Sequence, residues 1–298
     1  MELGVVPPSG FDIGSLHIGF YGLIIASAAL LAFFVAQRIA KYRDIDPDFV
    51  WLVAIIVIPA GIIGARFLHV VLNRDDYTLE SAVAFWRGFE GLAIQGAIIF
   101  GFTSITVLCL VKKVNFLKML DVIAPVLLMA QGIGRWGNYF NQELYGKPVE
   151  FNFWPFSVFI ERTGQYHIGL FFVEFVLNIV GFFVLMTILK RYKNPGVVIA
   201  AYFIWYGLTR FILEPMRVPE FFPQGRINAF VVISGIFMIV GALFYIYLFY
   251  IKFRQSSNTS NNVLSGVVDI EPNDTIGDGQ SMQAIQPKVG QIDDNNIS

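Results

Sequence analysis

The sequence predicts an all-α polytopic membrane protein: seven transmembrane helices, a small extracytoplasmic head and a disordered cytoplasmic tail. Three observations carry this expectation. Hydrophobic residues make up 56% of the 298 residues and charged residues only 14%, against about 25% charged in a soluble domain. Seven apolar runs are long enough to span a bilayer. Lysine and arginine gather in alternate links between those runs.

The first sixteen residues lack a basic segment, so no cleavable signal is expected. The predicted spans are 17–36, 50–71, 93–111, 119–137, 168–189, 195–213 and 228–251. Runs this long and this continuously apolar are helices, not the alternating strands of a barrel. Basic residues follow the first span (Arg38, Lys41, Arg43), the third (Lys112, Lys113, Lys118), the fifth (Lys190, Arg191, Lys193) and the last (Lys252, Arg254, Lys288). The opposite side carries half as many, spread over longer links. The basic side is therefore expected to be cytoplasmic, with the N-terminus outside and the C-terminus inside. A transmembrane domain over 1–254, with a head insert at about 138–167, would precede a tail at 255–298. That tail is rich in Ser, Asn, Gly, Gln and Asp and has no apolar periodicity, so it reads as disordered.

Several function classes fall away. One cysteine, Cys109, allows no intrachain disulfide, and its apolar setting reads as packing. His17, His69 and His167 are far apart in sequence, and no Cys/His spacing suits a metal. Neither a metal nor an organic cofactor is expected, and no nucleic-acid partner.

What remains is a set of arginines inside spans. Arg66, Arg135 and Arg210 lie in the second, fourth and sixth runs, each with glycine close by. Counted from the cytoplasmic ends of these runs, each is about 21–24 Å up, in a hydrocarbon core of about 30 Å. One such arginine can snorkel to the headgroups; three at matching depth point to an anionic ligand. Acids are scarce, Glu174 being the one well inside a predicted span. The planar guanidinium fork matches phosphate oxygens, and a phosphate at headgroup level suggests a phospholipid. Arg210, Glu214 and Arg217 share one face if the sixth helix continues past Leu213, with Pro215 against such continuation.

The most specific segment is GRWGNYFNQELYG, Gly134 to Gly146. It resembles the signature G-R-x-G-N-[FY]-x-N-x-E-x-x-G of the prolipoprotein diacylglyceryl transferase family, matching every fixed position. FYGL (20–23), GAR (64–66), WRGFEGLAIQGAIIFG (86–101) and YGLTRFILEPMR (206–217) are similar too. The resemblance implies a fold of seven membrane helices with an extracytoplasmic head, in a bacterial cell membrane. It implies transfer of the sn-1,2-diacylglyceryl group from phosphatidylglycerol to the lipobox cysteine of a prolipoprotein, releasing glycerol phosphate. The implied partners are phosphatidylglycerol, lipobox segments and membrane lipids.

Carried over residue by residue, Arg135 and Arg210 match the arginines regarded as essential. Asn138, Glu143 and Gly146 match motif positions, Glu214 and Arg217 the helix-6 pair, Tyr21 the first-helix tyrosine and Arg66 the GAR arginine. With Asn141 and Gln95 these form the expected site. Arg135, Arg210 and Glu143 are its catalytic candidates; the others, together with Arg135, bind substrate. Two departures stand out. Gln95 occupies IQG where many members carry HGG, and glutamine cannot hold a mobile proton. The H-P-x-x-[LF]-Y-E segment survives only as the stretch from His167 to Glu174, without its proline and with the glutamate one residue late. Asn138 and Asn141 either contact the headgroup, orient Arg135 or cap the fourth helix; Glu143 either orients an arginine or acts as base. The alternatives are a phospholipid transporter or flippase without chemistry, and a membrane scaffold whose tail is the working part.

Overall fold

The structure, a computed structural model, describes residues 6–14, 16–74, 77, 93–218, 235–236, 238–248 and 250. All of them belong to one compact unit, Met1–Ile251. The six long helices are α1 (Phe20–Ala40), α2 (Pro47–Leu72), α3 (Ile94–Val111), α4 (Phe116–Phe140), α5 (Leu170–Arg191) and α6 (Val197–Leu213). Each is long and apolar enough to cross a membrane. Their bounds lie within a few residues of the first six predicted spans. The described part of the seventh predicted run is helical over Met238–Leu248; the rest of it, and the tail at 255–298, lie outside the described residues.

The chain departs from a purely helical expectation at two hairpins. Strand β1 (Gly10–Ile13) pairs antiparallel with β2 (Leu16–Gly19), and β3 (Ser157–Ile160) with β4 (Gln165–Ile168). His17, placed by the sequence in the first span, is instead in β2. Gly164, at φ +65°, supplies the left-handed residue of the β3–β4 turn. The second hairpin lies within the predicted head insert and packs Val158 and Ile160 with Tyr145 and Phe171 in a small apolar cluster.

Local signals explain the helix starts. Asp46 caps α2 by accepting the Asp48 N–H, with Pro47 at the first helical position. Asn115 caps α4 by accepting the Lys118 N–H. Outward faces are apolar: Leu110 is 73% exposed and Phe183 62%. That pattern suits lipid, since such patches are rare on soluble monomers. The hydroxyls of Thr106 and Thr187 donate to the carbonyls of Phe102 and Phe183, which removes their need for water.

Helix α4 is the centre of the bundle. It packs on α1, α5 and α6, while α2 and α3 form a close pair. That pair depends on small residues: a Cβ on Gly96 would collide with the Gly64 carbonyl. The end of the bundle where α4 and α6 begin is closed by a buried ion pair. Arg43, counted from sequence as a loop charge, is 1% exposed. Its Nε donates to Asp121 at 3.0 Å and its Nη1 to the Leu189 carbonyl at 2.9 Å. Asp121 also accepts the first free N–H groups of α6, from Gly196, Val198 and Ile199, at 2.9–3.0 Å. One carboxylate thereby ties the segment after α1, the start of α4 and the start of α6.

Replacing Asp121 by alanine strands the Arg43 charge and three backbone donors together. We expect Asp121→Ala to destabilise the protein by about 3–5 kcal/mol, with Asp121→Asn less damaging. Thermal unfolding in detergent measures both, and an unchanged melting temperature for Asp121→Ala would refute the role.

Candidate functional site

At the opposite end, α4, α5 and α6 bring charge together. Arg135 lies five residues from the end of α4, Glu174 four from the start of α5, and Arg210 three from the end of α6. These offsets put all three at nearly one level. Glu174 is the hub. Its Oε2 takes Arg135 Nε at 2.8 Å and Arg210 Nη1 at 3.6 Å; its Oε1 takes Arg217 Nη2 at 2.7 Å. Glu214 closes the ring, 3.6 Å from both Arg210 and Arg217. Helix α6 stops at Leu213 and Glu214–Met216 forms a 3-10 turn. The face of Arg210, Glu214 and Arg217 survives the change of winding.

Three arginines against two glutamates leave one positive charge. The surplus falls where it is reachable: the Arg135 and Arg210 side chains are 14% and 18% exposed, against 7% for Arg217 and 4–6% for the glutamates. Both arginines line a cleft with Glu174, Gln131, Asn178 and Tyr206. The Arg210 guanidinium also lies 5.4 Å from the centre of the Tyr206 ring. An anion entering there meets two oriented guanidiniums already stripped of most of their water.

The motif folds around a second carboxylate. Helix α4 ends at Phe140 with Asn141 as its cap residue, and Gln142 and Leu144 turn the chain at φ 51° and 55°. Asn138 Nδ2 donates to Glu143 Oε1 at 3.3 Å, and Asn141 also hydrogen-bonds the carboxylate. Burial raises the Glu143 pKa above the usual carboxylate value; the Asn141 hydrogen bond and the charge of Arg135 pull it back without cancelling the rise. Glu143 lines its own cleft with Asn138, Tyr139 and Tyr145. Tyr21 stands in the electrostatic field of both Glu143 and Arg135. It lies flat on Gly137, where a Cβ would be 2.7 Å from its ring.

The other expected residues sit as follows. Gly146 is buried in backbone pairing: it bridges Arg217, its N–H donates to Ile168, and its carbonyl accepts from His167 Nδ1 at 2.8 Å. That carbonyl fixes the proton of His167 on Nδ1, and Nε2 is engaged by the Thr163 hydroxyl at 2.9 Å. His167 thus ties β4 to the end of the motif and to the β3–β4 turn. Arg66 donates to the Tyr77 hydroxyl at 3.4 Å and stacks on its ring, whereas Arg135 and Arg210 meet at Glu174. Gln95 is exposed at the second position of α3.

Glu174 was absent from the expected site. Its signal was its rarity, as the acid deepest in an apolar run; a displaced motif register masked it. Asp121, third in its predicted span, was missed as well.

The fold and site define a polytopic helical membrane protein with a partly solvated arginine–carboxylate cluster at one end of its bundle. Residues 8–247 match the family model described as prolipoprotein diacylglyceryl transferase. A relative from Lysinibacillus sphaericus, named phosphatidylglycerol–prolipoprotein diacylglyceryl transferase, is 34% identical over 247 residues, 79% of this chain and 90% of its own length. Relatives of the same name from Pediococcus pentosaceus and Streptococcus pyogenes are each 35% identical, over 82% and 81% of this chain and 90% and 95% of their own. The chain belongs to the prolipoprotein diacylglyceryl transferase family.

Removing the hub leaves three neighbouring guanidiniums, one buried and two partly exposed, without the carboxylate they share. We expect Glu174→Ala to cost about 3–5 kcal/mol and Glu174→Gln somewhat less. Denaturation in detergent checks this, and wild-type stability in both variants would refute the hub.

Proposed function

We propose that this chain transfers the diacylglyceryl group of phosphatidylglycerol to the lipobox cysteine of a prolipoprotein, and that the phosphate is held by Arg135 and Arg210. Family membership supports the reaction and rules against a transporter or scaffold. The observation that carries the assignment of residues is the geometry at Glu174. Two guanidiniums are held by one buried carboxylate and still present open edges to a cleft.

The reaction is substitution at the glycerol carbon that bears the phosphate. A C–S bond forms, the C–O bond to phosphate breaks, and its electron pair leaves on the phosphate oxygen. The thiol proton goes to a base. Charge therefore moves from sulfur to glycerol phosphate, and donors fixed beforehand on that oxygen lower the barrier. Glu174, Glu214 and Arg217 hold those donors in place, so the arginines need little rearrangement.

Glu143 suits the base. It is half-buried, and its raised pKa gives a carboxylate more basic than one in water. Asn138 and Asn141 aim it. Tyr21, which feels the charge of both Glu143 and Arg135, contacts the headgroup. The proposed topology has seven spans, the motif and head insert on the extracytoplasmic face, and residues 255–298 in the cytoplasm. Lysine and arginine placement supports that orientation.

Purified protein given phosphatidylglycerol and a lipobox peptide should yield a thioether-lipidated peptide detectable by mass. Arg135→Lys and Arg210→Lys should each lower the rate by about 10²–10³-fold, because a point charge cannot reproduce the fork. Wild-type rates in both lysine variants would reject the two-arginine clamp.

The pH profile tests Glu143. The base works ionised, so the rate should rise with pH through a limb centred above the ordinary carboxylate value. The Asn141 hydrogen bond favours the ionised form, so Asn141→Leu should move that limb to higher pH, and Glu143→Gln should remove it. A limb unmoved in both variants would transfer the proton to another acceptor, such as solvent.

A further inference from the structure

One helix turn from the charged layer, toward the middle of the bundle, lies a neutral polar layer. Gln131 is four residues before Arg135 on α4, Asn178 four after Glu174 on α5, and Tyr206 four before Arg210 on α6. All six line one cleft. Its continuation between three helices is polar although each helix is otherwise apolar.

Two amides in this layer are incompletely used. Gln131 Nε2 donates to the Tyr202 hydroxyl at 3.0 Å, and Gln131 Oε1 is buried with no partner among the described residues. Turned over, the amide would accept from Tyr202 and leave Nε2 as the spare atom, now a donor. Asn178 is 8% exposed, and its side chain makes no hydrogen bond among the described residues. A buried amide oxygen in the state of Gln131 Oε1 carries a free-energy cost, which a bound ligand would remove, while Asn178 offers its unengaged amide to the same cleft.

Resting on the reading that a glycerophospholipid is the donor, we propose that Gln131 and Asn178 form a subsite for the ester carbonyls of its acyl chains. In such a lipid the carbonyls follow the phosphate across the glycerol carbons, a distance comparable with one helix turn of about 5.4 Å. A phosphate on Arg135 and Arg210 thus brings the ester oxygens, which only accept hydrogen bonds, level with two amide donors. The charged layer reads the phosphate. The amide layer reads the ester linkage and fixes the depth of the glycerol carbon under attack.

The test compares phosphatidylglycerol with its diether analogue, which lacks both carbonyls, using the full-length protein in lipid-detergent micelles and a lipobox peptide. Wild type should favour the diester by roughly five- to tenfold in kcat/KM. Gln131→Leu and Asn178→Leu should lower transfer from the diester and leave the diether rate nearly unchanged, collapsing the preference. A merely structural role would lower both rates together and overturn the proposal. Equal use of the two lipids by wild type would also overturn it, without recourse to any variant. Absence of transfer from either lipid would instead reject the reaction itself.

Discussion

Three guanidiniums cannot crowd into one end of a helix bundle unless an anion stands among them, and Glu174 is that anion. At about 4 Å two like charges repel by roughly 4 kcal/mol at a partly screened protein site. The placement of Arg135, Arg210 and Arg217 is therefore decided by the one carboxylate that all three reach. Glu174 takes the two shortest contacts, 2.7 and 2.8 Å, from arginines on different segments. It joins α4, α5 and the turn beyond α6 at the level where the motif begins. Arg210 sits farther off at 3.6 Å from either glutamate, the loosest tie of the three, and is the most exposed.

The two ends of the bundle use the same chemistry to opposite effect. Asp121 receives one guanidinium and three backbone N–H groups, and both it and Arg43 are sealed, at 0% and 1% exposure. Charge there is balanced and the site is closed, as suits a clasp. Around Glu174 the cations outnumber the anions and a cleft opens beside them. A buried ion pair alone says little about function. An unbalanced and partly solvated one does, because its surplus charge needs a counter-ion.

Much of this was legible in the sequence because it depends on one helix at a time. Continuous apolar length located six helices to within a few residues, and the motif singled out Arg135 and Glu143. What escaped depends on contacts between helices. Nothing in the spacing of Glu174 relates it to Arg135, thirty-nine positions earlier, and the shifted His167–Glu174 register hid its part. Arg66 shares the predicted depth of Arg135 and Arg210, and its contact with Tyr77 has no signal in the sequence. From sequence, Asn138 and Asn141 are equally open to being ligands of a headgroup, orienters of Arg135 or caps. They prove to hold Glu143, with Asn141 also ending α4. The hairpins were missed because four-residue strands between long apolar runs carry almost no periodic signal.

Gly146 shows how a motif residue can matter without touching a ligand. A Cβ there would be 2.7 Å from the Ile168 Cβ and 3.2 Å from the Met216 carbonyl. Only glycine lets the motif lie between β4 and the turn after α6. Through that contact Gly146 pairs with Arg217, and the neighbouring Lys147 N–H donates to Met216. Arg217 in turn holds Glu174 Oε1, and Glu174 holds Arg135, eleven residues before Gly146 in the same motif. The motif therefore closes on itself through the turn after α6 and through α5. Its first charged residue and its last glycine are two ends of one chain of contacts. A side chain at Gly146 would press on Ile168 first and on the Met216 carbonyl next, so Arg217, one residue on, and the guanidiniums that share Glu174 with it would be disturbed in turn.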